Sequence, residues 1–163
     1  MNKLTIEEVI NIGKKFYKVN KIKYRFINRT VKTSNVIRGG CADLEKELVY
    51  IYYDKKDKTI VNWLASTVLH EYYHIYCRRN KIYPTYHNYP GYYDSKKIKS
   101  INNILSTGLR AERHVDKLAS IKFKEMFPSM RFHKAYRNKK AVKWFNETHL
   151  KYYHDIKTSG WAK

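Results

Sequence analysis

The string Val68-Leu69-His70-Glu71-Tyr72-Tyr73-His74-Ile75-Tyr76 holds two histidines four residues apart, with a glutamate directly after the first. On a helix, positions four apart lie about 40° from each other in projection. His70 and His74 then project from one face and suit a single zinc ion bound through imidazole nitrogens. Glu71 stands about 100° round from His70, beside such an ion rather than on it. There it can take a proton from a water that the metal activates. Trp63, Leu64, Val68 and Ile75 form an apolar stripe along the same stretch, so the motif belongs on a partly buried helix. The competing reading is two half-exposed helical histidines and a solvated glutamate. A buried His-Glu-His cluster without a metal is costly, because each polar group needs a partner.

A catalytic zinc takes a third protein ligand and leaves its fourth position open. Downstream candidates are His87, Asp94, Glu112, His114 and Asp116. The best supplier is Leu109-Arg110-Ala111-Glu112-Arg113-His114-Val115-Asp116-Lys117-Leu118-Ala119. Glu112 and Asp116 are one helical turn apart and share a face, while His114 points away from them. Glu112 can reach the metal as a ligand, and Asp116 can accept a hydrogen bond from the second ring nitrogen of a ligand histidine. Ala111, Val115, Leu118 and Ala119 mark a packed helix, which argues against a merely solvated acidic pair. Cys77 also lies near the His70/His74 face, three residues after His74, but a small buried cysteine is the simpler reading.

HEYYH followed by Ala111-Glu112-x-x-Val115-Asp116-x-Leu118-Ala119 resembles the gluzincin pattern, and more narrowly the ImmA/IrrE-type metallopeptidases. The lead-in from Gly40-Cys41-Ala42-Asp43 to Tyr53 and the helix over 61–76 is similar to that family's, so the resemblance covers roughly residues 36–127. It implies a zincin-like domain in which Glu112 is the third ligand and the substrate is a protein, including a DNA-bound regulator. The chain also resembles, more loosely, the SprT-type proteases, which act on DNA-bound proteins and use a third histidine soon after HExxH. His87 follows His74 by 13 positions and would fill that role. The third ligand therefore stands between Glu112 and His87.

These residues need elements to hold them. Thr5-x-x-Glu8 is a capping box, and Ile6, Val9, Ile10, Gly13, Phe16 and Tyr17 recur at helical spacing, which predicts a helix over about 5–18. Residues 22–28 alternate polar and apolar and read as a strand, and 47–53 read as a clearer one. Gly39-Gly40 marks a turn or bulge, and 54–58 is a charged turn. The motif helix is expected from Thr59 or Val61 to Arg79. Residues 80–95 read as a loop with Pro84, Pro90, Gly91 and five tyrosines. A second long helix is expected over 97–126, stopped near Pro128, and a last one over 139–156. The expected fold is α+β: one zincin-like domain over 1–163, with a small mixed or antiparallel sheet on the HExxH helix and a second ligand-bearing helix. Residues 129–163 form its basic, helical C-terminal segment.

Two features near the motif invite further roles. Tyr92, Tyr93, His87 and His114 are candidate donors to the oxyanion formed on carbonyl attack. Strand 47–53 is expected to be an edge strand that pairs with an extended peptide, by analogy with zincins generally.

Composition bounds the function. There are 34 Lys and Arg against 14 Asp and Glu, a net charge of +20. Such a charge suggests a nucleic-acid partner. Arg131, Lys134, Arg137, Lys139, Lys140 and Lys143, with Phe132 and Tyr136 interleaved, form a candidate phosphate-contacting surface with stacking aromatics. Yet 25 of the basic residues are Lys and 9 are Arg, and Asn, Ile and Tyr abound, which A/T-rich coding would also produce. Arginine is the residue favoured for bidentate phosphate and base contacts. The two cysteines, Cys41 and Cys77, exclude a disulfide scaffold and fit a reducing, cytoplasmic interior. No segment reads as a signal peptide or as a membrane span of about 20 residues.

The expectation is a zinc-dependent metallopeptidase in which His70, His74 and Glu112 hold the metal and Glu71 activates water. The alternatives are a non-catalytic basic module that binds nucleic acid or protein around a zinc site, and metal-assisted hydrolysis of some other substrate.

Overall fold

A computed structural model of the chain describes residues 4–33, 36–82, 101–135 and 139–147. The fold is mixed α+β, a small single domain built around one buried helix.

Helix α1 (Ile6–Val19) starts where the capping box places it. Thr5 Oγ1 accepts from the Glu8 N–H at 3.2 Å, and Glu8 Oε2 accepts from the Thr5 N–H at 2.7 Å. Its inner face, Ile6, Val9, Ile10, Gly13 and Tyr17, is buried. Gly13 lets the helix come close: a Cβ there would stand 3.0 Å from Phe26 and 3.2 Å from Val68. α1 ends without glycine. Lys21 takes φ 56°, and the Ile22 N–H reaches back to the Tyr17 carbonyl at 2.9 Å, closing the last turn.

The strands follow as β1 (Lys23–Asn28), β2 (Val31–Thr33), β3 (Val36–Arg38), β4 (Gly40–Asp43) and β5 (Leu48–Tyr53). β2 and β3 form a short antiparallel pair of their own. The main sheet has the order β1-β5-β4 and is mixed. β1 runs parallel to β5, with Lys23 opposite Leu48 and Asn28 opposite Tyr53. β4 runs antiparallel to β5, with Gly40 opposite Ile51 and Asp43 opposite Leu48. This order corrects one expectation. The strand at 47–53 is central rather than an edge, because both of its sides are hydrogen-bonded to neighbours. β1 and β4 are the outer strands of this sheet, and β4 lies against the motif helix.

A short 3₁₀ turn (Lys58–Ile60), capped by Asp57, feeds helix α2 (Val61–Arg79). Every residue of α2 from Leu64 to Tyr72 is buried. The helix is enclosed by α1, β4, β5 and α3 rather than lying on a surface with one wet face. Tyr17 donates its hydroxyl to the Val68 carbonyl at 2.7 Å, and Tyr72 donates to Asn20 Oδ1 at 2.9 Å, so α1 grips α2 on the side away from the histidines. At the far end Arg79 clamps the Glu47 carboxylate and the Asn20 and Lys21 carbonyls. Lys81, at φ 52°, closes α2 as Lys21 closes α1, with the Ile82 N–H on the Cys77 carbonyl at 2.8 Å.

Helix α3 (Ile101–Met126) packs along α2 and buries Val115, Asp116, Ala119 and Phe123. The chain then turns through Phe127, whose ring lies 5.1 Å from that of Phe123. Residues 139–147 are helical, with Phe145 buried. The expected helix over 97–126 agrees with α3 where it is described; its first four residues, most of the tyrosine-rich loop, and the expected helix beyond 147 lie outside the described residues. No described helix is long and apolar enough to cross a membrane.

Candidate metal centre

α2 and α3 bring three of the expected residues to one point. His70 Nε2 lies 3.1 Å from His74 Nε2 and 3.0 Å from Glu112 Oε2, and His74 Nε2 lies 3.3 Å from the same oxygen. The group His70, His74 and Glu112 could hold a metal ion. Spacing explains the convergence. The two histidines occupy successive turns of α2, and α3 crosses beside them with Glu112 aimed at the gap.

Asp116 lies behind the group, one turn further along α3. Its Oδ1 is 2.9 Å from His70 Nδ1, and both residues are buried. A carboxylate oxygen accepts, so Nδ1 carries the hydrogen. Nε2 of a neutral His70 then presents only a lone pair, and it faces a second imidazole and a carboxylate. Facing lone pairs at about 3 Å repel; a hydrogen on His74 Nε2, a further proton on the cluster or a metal ion relieves this. Burial works against a charged His70, but the hydrogen bonds to Asp116 and Glu112 and the nearby carboxylates overcome it and raise its pKa well above the ordinary value. Burial likewise works against the Glu112 carboxylate, yet the charge on His74 and the bonds to both histidines hold its pKa well below the ordinary range.

Glu71 is buried on the neighbouring face of α2 and is not one of the three converging groups. It packs under the start of β4. A Cβ on Gly40 would stand 2.9 Å from Glu71 Cγ and 2.8 Å from the Tyr50 carbonyl oxygen. One on Gly39 would stand 2.6 Å from the Trp63 ring and 2.9 Å from Thr67 Oγ1. The glycine pair expected as a turn or bulge is thus also a close-approach device, letting the strand pass directly over the motif helix. Glu71 also adds to the effect of burial in raising the Tyr17 pKa.

The two tyrosines inside the motif are mainly structural. Tyr72 stacks edge-on against Phe16 at 4.6 Å, and Tyr73 packs against Tyr72 and Tyr76. Burial pushes the Tyr73 hydroxyl up to about 12.

Other expected site residues divide by position. His114 is half-buried on α3 and does not join the metal-capable group. Cys77 is fully buried and is not in that group either. His87, Asp94, Tyr92 and Tyr93 lie outside the described residues, as do Tyr136 and Arg137. Arg131, Lys134, Lys139, Lys140 and Lys143 are exposed. Phe132 among them is partly buried and packs on the core, edge-on to Phe123 at 5.4 Å.

Two contributors escape a reading by side-chain type. The Ala135 N–H donates to Asp116 Oδ2 at 3.0 Å, and the His133 N–H donates to Ser66 Oγ at 2.8 Å. Both donors are main-chain groups, so no residue identity advertises them. Comparison of the chain with protein-family models, curated proteins and solved structures finds no match.

Proposed function

We propose that the protein is a zinc-dependent hydrolase, and within that class a metallopeptidase. The observation that carries the reading is the convergence of His70 Nε2, His74 Nε2 and Glu112 Oε2 with His70 Nδ1 bound to Asp116. For bonds of about 2.0–2.1 Å to a tetrahedral zinc, ligand atoms stand roughly 3.3 Å apart. The three separations, 3.0, 3.1 and 3.3 Å, are within a few tenths of an ångström of that. Two imidazoles and one carboxylate are a donor set suited to catalytic zinc, and a carboxylate behind a ligand histidine is its usual support.

When bound, zinc would polarise a substrate carbonyl and lower the pKa of a water to about 7. The chain's own residues do the rest. Glu71 stands beside the ligand histidines and accepts the water proton. Asp116 keeps His70 in the tautomer whose Nε2 is free to bind. The start of β4, an outer strand of the sheet, packs over Glu71 and forms a wall beside it. The motifs HEYYH and Glu112-x-x-x-Asp116, which resemble those of the ImmA/IrrE-type metallopeptidases, support a protein substrate. The test is cleavage of an unfolded protein substrate by the zinc-loaded chain and by Glu71→Gln. The variant should keep its metal and lose cleavage by at least about 10²-fold. Equal cleavage by both would exclude Glu71 as the base.

A second reading rests on the exposed Arg131, Lys134, Lys139, Lys140 and Lys143. These suit a phosphate backbone, whether or not the protein is also an enzyme. Binding to duplex DNA that weakens steeply with salt and is unchanged in Glu71→Gln would support it. Binding that does not depend on salt would exclude it.

A further inference from the structure

The segment after α3 returns to the metal-capable group by a route that its sequence does not announce. Phe132 seats it against Phe123, the His133 N–H bonds Ser66 on α2, and the Ala135 N–H bonds Asp116 on α3. Ser66 and His70 are one helical turn apart on α2, so the segment spans α2 and α3 where the two helices together hold the site. Ser66 is buried, and its hydroxyl also donates to the Asn62 carbonyl at 2.7 Å, which leaves the oxygen oriented to accept from His133. Asp116 is buried with one oxygen on His70 and the other on Ala135.

A carboxylate held at one oxygen alone can rotate about its side-chain torsions. Held at both, it presents one fixed acceptor to Nδ1 and so fixes the plane of the His70 ring. The geometry points to residues 132–135 as a strap, with the Ala135 N–H as a positioning group for the metal centre acting through Asp116 on His70. This rests on the reading of His70, His74 and Glu112 as zinc ligands.

The strap predicts a defined pattern of metal affinities. Ala135→Pro removes the one donor N–H. It should lower zinc affinity about tenfold, the size of effect expected for a partner outside the ligand set. Ser66→Ala frees the other end of the strap and should give a smaller loss in the same direction. Neither substitution should weaken zinc binding further when Asp116→Ala is already present, because the group through which the strap acts is gone. Affinity is read by competition with a chromophoric chelator on the full chain, and the thermal midpoint of each metal-free variant shows that it is folded. If Ala135→Pro does not fold, Ser66→Ala with and without Asp116→Ala decides the matter. Wild-type zinc affinity in the folded variants would overturn the strap and leave the zinc site standing. So would an equal loss in the Asp116→Ala background, which would mark a merely structural role. A wild-type chain that binds no zinc would overturn both.

Discussion

Asp116 Oδ1 accepts a hydrogen bond from His70 Nδ1 at 2.9 Å, across the buried seam between α2 and α3. The bond settles which His70 nitrogen faces the rest of the group, and so turns two helical histidines into a site with a direction. Asp116→Asn offers a test. The amide keeps the shape but cannot accept from both His70 and Ala135 through its two polar atoms. Zinc affinity should fall about 10–100-fold with all three ligands still present. Equilibrium competition against a chelator of known affinity measures it.

The pH dependence follows from His70 and Glu112 together. His70 is raised above its ordinary 6.5, so its contribution to the metal-free fold is complete below 6.5 and is lost as pH rises through the folded value. Glu112 is depressed below its ordinary 4.5, so its contribution is present above 4.5 and is lost as pH falls through its lower folded value. Between 4.5 and 6.5 the metal-free cluster is therefore at its most favourable. Zinc must displace the His70 proton, so binding should release protons and strengthen as pH rises. Thermal midpoints with and without zinc at pH 6 and about pH 8 check this; the zinc-induced rise should be larger at the higher value.

Gly40 is predicted to be intolerant of any side chain. A Cβ would stand 2.8 Å from the Tyr50 carbonyl oxygen, a backbone atom with no rotamer to yield, and 2.9 Å from Glu71 Cγ. Gly40→Ala should cost about 1–3 kcal/mol and shift β4 off Glu71. Denaturant unfolding gives the stability, and cleavage activity should fall further than in a variant of equal instability made far from the site.

Much of this arrangement was legible from local signals. The capping box at Thr5 and Glu8 marked the start of α1, alternation marked β1, and a run of β-forming residues marked β5, each strand to within a residue. Helical spacing put His70, His74, Glu112 and Asp116 on faces that do meet. What was not legible depends on long-range pairing or on main-chain groups. The strands at 31–33, 36–38 and 40–43 are too short to carry a pattern, and only their pairing defines them. That β5 is central depends on where β4 folds back, which no property of residues 48–53 records. Lys21 and Lys81 stop helices in a conformation usually given to glycine, so the usual stop signal was missing. The contact of Phe132 with Phe123 is likewise long-range in origin, and nothing in the basic run 131–143 records it.

Arg79 ties the end of α2 to the α1–β1 turn and to the turn before β5, through two bonds to Glu47 and one each to the Asn20 and Lys21 carbonyls. The pair is about one-third exposed, 33% for Arg79 and 39% for Glu47, so screening trims its worth. Arg79→Ala should cost roughly 1 kcal/mol, and Arg79→Lys should recover little of it, because an ammonium cannot make the forked contact. Denaturant midpoints of the two variants test this.

The most direct test of the central claim is the zinc content of the purified chain and three variants after metal-replete expression. The arrangement of His70, His74 and Glu112 predicts one zinc per chain in the wild type, one in Glu71→Gln, and none retained in His70→Ala or Glu112→Ala. A wild-type chain without zinc, or a His70→Ala chain that keeps a full equivalent, would contradict it.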